Sequence, residues 1–149
     1  KGMDAISDTL ISAMMCKQID PDSMNQNNTK FLSGKDGSLI DSYGAYKLVS
    51  DYIEIPEGHI ISKFCSITHM DGTNAYCVFY DENMNYIGAY MPQSTDTSVT
   101  GDWKYTETPP EIPKGAKYIR VAFNNGLDDY SDLGIVEREY AVLEFSTNY

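Results

Sequence analysis

The chain has 149 residues, 42% of them hydrophobic and 22% charged, enough for one domain with a real core and too apolar to stay disordered. A formal net charge of −11, with no Lys/Arg cluster, argues against a nucleic-acid partner and disfavours an anionic membrane surface. The three cysteines form no C-x-x-C, which argues against structural zinc, and no apolar run approaches the length of a membrane span.

The first predicted element is a helix over Met3 to Ile19. Met3, Ile6, Leu10, Ala13 and Met14 recur at spacings of three and four, which puts them on one helical face. Asp4 and Asp8 near its start and Lys17 near its end suit the helix dipole, and Asp20-Pro21-Asp22 stops it. This helix either packs on its own or a neighbouring domain, or forms a short coiled coil holding a homo-oligomer (a trimer) together. Residues 23–30 (SMNQNNTK) are polar and aperiodic, a linker or loop. The sequence thus divides into a helix over 1–22, a linker over 23–30 and a β domain over 31–149. Since it opens on Lys-Gly, it is expected to be a processed product or a fragment of a longer chain.

From Phe31 onward the pattern changes to strands and turns. Phe31-Leu32 and Leu39-Ile40 are short extended pieces around the turn Ser33 to Ser38. Lys47 to Ile55 alternates in part, Pro56-Glu57-Gly58 turns the chain, and His59 to His69 is a long strand. Ala75 to Tyr90 (AYCVFYDENMNYIGAY) is a hairpin: two aromatic, β-branched runs around Asp81 to Asn85. Met91 to Gly101 reads as a long loop, and Trp103 to Thr108 as a strand ended by Pro109-Pro110. Ile112 to Ala116 turns into the best period-two strand, Lys117 to Phe123. It carries Ile119, Val121 and Phe123 on one face, and Tyr118, Arg120 and Ala122 on the other. Ile135 to Phe145 is a last strand, or a pair broken near Glu139. Strands about ten residues apart, split by Gly, Pro and Asn turns, predict an all-β sandwich or barrel.

Three stretches, in this order, carry a resemblance: Ser50-Asp51-Tyr52-Ile53-Glu54-Ile55-Pro56-Glu57-Gly58, Phe79 to Ile87, and Ile112 to Val121. Together they resemble a jelly-roll, carbohydrate-binding-module-like β-sandwich that recurs in phage tail-fibre and baseplate proteins. Similar modules precede hydrolase domains in the surface enzymes of gut bacteria. The similarity spans about Phe31 to Phe123. It implies a jelly-roll-like antiparallel β-sandwich, an extracellular, cell-surface or virion setting, and non-catalytic attachment, often to glycans. Its motifs are strand starts and turns, so it transfers no functional residue.

The residues themselves offer little for catalysis. There are two histidines, His59 and His69, each beside a turn and so at an exposed strand end. No G-x-S-x-G turn accompanies them, and Gly101-Asp102-Trp103 lacks the serine of a Gly-Asp-Ser block. Acidic loops at Asp71/Asn74, Asp81/Glu82/Asn83 and Asp128/Asp129/Asp132 have oxygen ligand types that suit calcium. They read more simply as turn-forming residues, so no metal and no cofactor are assigned. Cys65 and Cys77 sit in apolar strands, as buried thiols or as a pair if neighbouring strands align them.

Binding is the better-supported chemistry. Sugar rings stack an apolar face on aromatic side chains, while carboxylates and amides bond their hydroxyls. Trp103 is the only tryptophan; Asp102 precedes it, and Tyr105 follows on the same strand face. Tyr43 and Tyr46 flank Gly44 in another predicted loop. These five residues form the candidate ligand site, with a plug in the core as the alternative role for Trp103. Arg120 is expected to pair with an acid across the sheet, or to line a concave surface. The sequence therefore predicts a non-enzymatic binding module for carbohydrate. The alternatives are a spacer or oligomerisation domain of a tail protein, or an accessory domain beside a hydrolase.

Overall fold

A computed structural model of the chain describes residues 16–18, 30–41, 47–124 and 142–147. Among them are twelve strands and no helix. In chain order they are β1 (Cys16–Gln18), β2 (Lys30–Leu32), β3 (Leu39–Asp41), β4 (Lys47–Val49), β5 (Ile53–Glu54) and β6 (His59–His69), then β7 (Cys77–Tyr80), β8 (Tyr86–Tyr90), β9 (Thr97–Thr100), β10 (Trp103–Thr106), β11 (Tyr118–Asn124) and β12 (Val142–Thr147). No helix among the described residues is long and apolar enough to cross a membrane.

β6 organises the sheet. Its first half pairs antiparallel with β12, with a register shift between Glu144 and Phe145, and β1 adds to the far edge of β12. From Ser66 to His69 its partner becomes β10, which in turn carries β9. β11 meets β6 in a single parallel step, Phe123 against Ile67, and carries β7 and then β8 beyond. The ten-stranded sheet is therefore curled and mixed, where an antiparallel one was expected. The parallel step arises because β6 and β11 touch only at one point while each spends its length on antiparallel neighbours.

β7 and β11 are neighbours in the sheet and are buried on both faces. All four residues of β7 are buried, and successive side chains alternate between two apolar clusters. Cys77 and Phe79 join Phe64, Ile67, Ile119, Val121, Phe123 and Leu143 in the larger cluster. Val78 and Tyr80 join Leu32, Val49, Ala75 and Ala122 in the smaller one. The period-two reading of Ile119, Val121 and Phe123 is thus the observed inward face of β11. Each such large side chain contributes about 1.5–3 kcal/mol through burial. The strand is launched as expected: the Ala116 amide bonds the Pro113 carbonyl at 3.1 Å, with Gly115 at φ 87°.

The smaller cluster is closed by the β2–β3 hairpin. The Tyr80 hydroxyl donates to the Gly37 carbonyl at 2.6 Å, and the Tyr86 hydroxyl donates to the Gly34 carbonyl at 2.7 Å. Gly37 is required twice over. Its φ is 75°, and a Cβ there would stand 2.8 Å from the Tyr80 ring.

Several expectations are corrected. Cys16–Gln18 is a strand paired with β12, so the end of the proposed helix is not helical; residues 1–15 lie outside those described. Thr97–Thr100 is a strand within the stretch read as a loop. The alternating run 47–55 splits into β4 and β5, both on β11, because Ser50 interrupts it. The Ser50 amide bonds the Val121 carbonyl at 2.9 Å, and its hydroxyl accepts from the Val121 amide at 2.9 Å. Among the described residues Arg120 pairs with no acid: its Nε donates to the Ser50 carbonyl at 3.0 Å, and its guanidinium lies over the Tyr52 ring. Cys65 and Cys77 are buried and form no disulfide with each other. Full burial pushes the Cys77 thiol far above its ordinary range.

Candidate functional site

The β9–β10 hairpin and the chain just after it build the candidate site. Trp-Lys-Tyr-Thr favours a strand through its aromatic and β-branched residues. Gly101, at φ 54°, takes the first central position of the two-residue turn that joins β9 to β10. Burial alternates along β10: Trp103 and Tyr105 are half-buried on one face, and Lys104 and Thr106 are buried on the other.

Trp103 does not plug the core. It stands opposite His69 in the β10–β6 ladder, and the two rings meet edge to face with centroids 5.0 Å apart. The His69 Nδ1 lies 3.8 Å from the Asp71 carboxylate. Asp102 is exposed in the turn, and its carbonyl accepts from the Met70 amide at 2.8 Å. Tyr105 packs its ring against the larger cluster while its hydroxyl donates to Glu107 Oε1 at 3.0 Å. Burial is the first cause that drives its phenol far above the ordinary range, with Cys65 and Glu107 adding to it. The structure thus brings Trp103 and Tyr105 onto one strand face and leaves Asp102 at its end. Tyr43 and Tyr46 lie outside the described residues.

Beside Tyr105 runs an open groove of about 370 Å³, walled by Thr95, Asp96, Thr97, Tyr105, Thr106, Glu107 and Thr108. Two carboxylates and four threonine hydroxyls make it a surface of hydrogen-bonding groups around one aromatic ring. Asp96 is fixed by two donors to its Oδ2, the Tyr76 hydroxyl at 2.8 Å and the Gln93 amide at 2.8 Å. Thr106 Oγ1 meets the Tyr90 hydroxyl at 3.0 Å and accepts from the Thr108 amide at 3.1 Å. Apart from Tyr105, these walls escape a reading of the sequence. Their trace is the density of Thr and acid in QSTDTS and TETPPE on either side of Trp103.

The acidic loops behave as turns. Asp71 Oδ1 accepts from the amides of Thr73 and Asn74, at 2.8 and 3.1 Å. Asp81 Oδ1 accepts from the amides of Asn83 and Asn85, at 2.8 and 2.9 Å, and the Asn85 amide leads in holding that carboxyl below its usual range. Asp128, Asp129 and Asp132 lie outside the described residues. Among those described, no group of three or more His, Cys, Asp or Glu side chains is placed to hold a metal ion. His59 and His69 are the two ends of β6; the Nδ1 of His59 is 2.9 Å from the Glu57 carbonyl.

No protein-family model, no curated protein and no solved structure matches the chain.

Proposed function

We propose that this chain is a non-catalytic binding module for carbohydrate, working outside the cell, on a cell surface or on a virion. The observation that carries the reading is the groove beside Tyr105. There an aromatic ring is flanked by the Asp96 and Glu107 carboxylates, each oriented by a tyrosine hydroxyl. A saccharide presents this same pairing, an apolar ring face for the aromatic and hydroxyls for fixed acceptors. Trp103, half-exposed on the same strand face, extends the aromatic surface toward Asp102. In this reading the two halves of the curled sheet are the facing layers of a jelly-roll-like sandwich, with the larger apolar cluster between them.

The test is a glycan array followed by calorimetry on the best binder. The wild-type chain is expected to bind at least one saccharide class. Tyr105→Ala and Trp103→Ala, each with an unchanged circular dichroism spectrum, are expected to weaken that binding about tenfold, the worth of one aromatic stacking contact. An array with no binder above background overturns the reading and leaves the chain as a structural spacer.

A further inference from the structure

Two Thr-acid-Thr triplets line the groove: Thr95-Asp96-Thr97, which leads into β9, and Thr106-Glu107-Thr108, which leaves β10. Tyr105 pairs with Thr97 in the ladder, so the chain before Thr97 and the chain after Tyr105 diverge from neighbouring positions. The triplets and the Tyr105 ring are the whole lining, so the walls hold two carboxylates and no Lys, Arg or His. Each carboxylate has one oxygen engaged. Asp96 Oδ2 accepts from the Tyr76 hydroxyl and the Gln93 amide, and Glu107 Oε1 accepts from the Tyr105 hydroxyl. Among the described residues no donor meets Asp96 Oδ1 or Glu107 Oε2. The ion pairs there are Lys30–Asp41 and His69–Asp71, so neither groove carboxylate has a cation of its own. The ammonium of Lys104, next to Tyr105 in the chain, bonds Ser98 Oγ at 2.7 Å instead.

An ionised carboxylate only accepts, so a ligand in the groove must bring the donors. A sugar hydroxyl brings one proton and no charge. An ammonium brings three protons and a positive charge, and charge-assisted bonds are about twice as strong as neutral ones. An acetamido group in the same place brings a single N–H and no charge. A uronate or sulfate group brings acceptors and a like charge, which both walls repel. The field of a chain with net charge −11 acts in the same direction as the walls. Asp96 is already held by its two donors, so little ordering is lost when a ligand meets it.

We propose that the groove selects amino sugars, saccharides bearing a free ammonium group, over their N-acetylated and acidic counterparts. This selectivity rests on the glycan-binding reading. The sugar ring lies on Tyr105, and its ammonium meets the open oxygens of Asp96 and Glu107.

The experiment titrates the whole chain by calorimetry with oligosaccharides of glucosamine and of galactosamine. Each is compared with its N-acetylated form and with a galacturonate oligosaccharide of equal length, at about pH 5.5, where amino sugars carry their proton. One amino sugar is expected to bind about fivefold to tenfold tighter than its acetylated form at low salt. That ratio is expected to shrink to about twofold or less in about 0.5 M salt, and galacturonate is expected to bind weakest of all. Glu107→Gln and Asp96→Asn each keep an oxygen for the tyrosine hydroxyl. Each is expected to lower the ratio of amino to acetylated affinity about twofold to threefold, whatever happens to the affinities themselves. A ratio that stays the same in both variants overturns the proposal. Should Asp96→Asn not fold, the exposed Glu107→Gln decides alone. Putrescine, a diamine without a sugar ring, binding as tightly as the oligosaccharide also overturns it. Neutral or acidic sugars that bind at least as well as amino sugars overturn this selectivity and leave the glycan-binding reading standing. Binding of no sugar at all overturns both.

Discussion

The guanidinium carbon of Arg120 lies 4.5 Å above the ring centroid of Tyr52. Tyr52 is 40% exposed while Arg120 is 8% exposed, so a surface ring roofs a nearly buried cation. Tyr80 meets Tyr52 edge to face at 4.9 Å and Tyr118 does so at 6.4 Å, which completes an aromatic surround. The Arg120 Nε bond to Ser50 fastens the link between β4 and β5 onto β11. Arg120→Ala is therefore expected to cost about 2–4 kcal/mol in urea unfolding, through the lost bond, the lost ring contact and the space left behind. A double-mutant cycle of Arg120→Met with Tyr52→Leu is expected to give about 0.5–2 kcal/mol of coupling. Strict additivity would show that the ring does nothing for the cation.

Gly37 and Gly58 share a left-handed backbone, at φ 75° and 74°, but differ in surroundings. A Cβ on Gly58 meets nothing within 4 Å, whereas one on Gly37 strikes the Tyr80 ring. Gly58→Ala is expected to cost about 1 kcal/mol, the backbone term alone. Gly37→Ala is expected to cost about 3 kcal/mol, because the β2–β3 hairpin must lift from the smaller cluster. Chemical denaturation of the two variants side by side checks the difference; equal losses would count against the close approach.

Alkaline pH should loosen this fold. Burial raises the phenols of Tyr76, Tyr80 and Tyr105 and the thiol of Cys77 above their ordinary values. A raised folded pKa means that the unfolded chain gives up its proton first as pH climbs. The stabilising contribution is complete below the unfolded pKa, about 8.5 for Cys and about 10 for Tyr, and is lost above it. Urea midpoints are expected to fall steadily from about pH 9 upward, with Cys77→Ala removing the earliest part of the decline. A midpoint that holds level to pH 11 would contradict the burial of these groups.

Asp96 connects the groove to the core through the Tyr76 hydroxyl. Tyr76→Phe deletes that bond and is expected to cost about 1 kcal/mol. Asp96→Ala also frees the Gln93 amide, so a loss of about 1–2 kcal/mol is expected. If saccharide binding uses this wall, Tyr76→Phe will weaken it without touching the ligand, by releasing the carboxylate it orients. Calorimetry with the best array binder measures this; equal affinity in Tyr76→Phe would remove Asp96 orientation from the account.

The elements legible in the sequence are those whose own residues carry the signal. β6, β11 and the β7–β8 hairpin announce themselves through alternating or continuous apolar runs with turn residues between them. Thr97-Ser98-Val99-Thr100 does not, because its one apolar side chain is outnumbered by hydroxyls and its order comes from pairing with β10. Cys16–Gln18 is the opposite failure. A three-four spacing of apolar residues runs into it, yet the segment is held by β12, far along the chain. Long-range partners are unreadable for the same reason. Nothing near Arg120 points to Ser50, 70 residues earlier, and nothing near Trp103 names His69 rather than the core. The candidate site was legible in its aromatic half, Trp103 and Tyr105. Its polar half, Asp96, Glu107 and the threonines, becomes a site only when the hairpin folds them together.

The register of β6 with β12 sets a timetable for synthesis. Ser62 bonds Glu144, 82 residues later in the chain. At roughly 5–20 residues per second, the first half of β6 spends on the order of ten seconds beyond its own translation with that edge unpaired. During that interval Ile61 and Phe64 stand on a strand whose closing partner does not yet exist. A nascent chain halted before Val142 would display the first half of β6, the longest of the described strands, as an open template, the state in which chaperone capture or edge-to-edge self-association is most favoured.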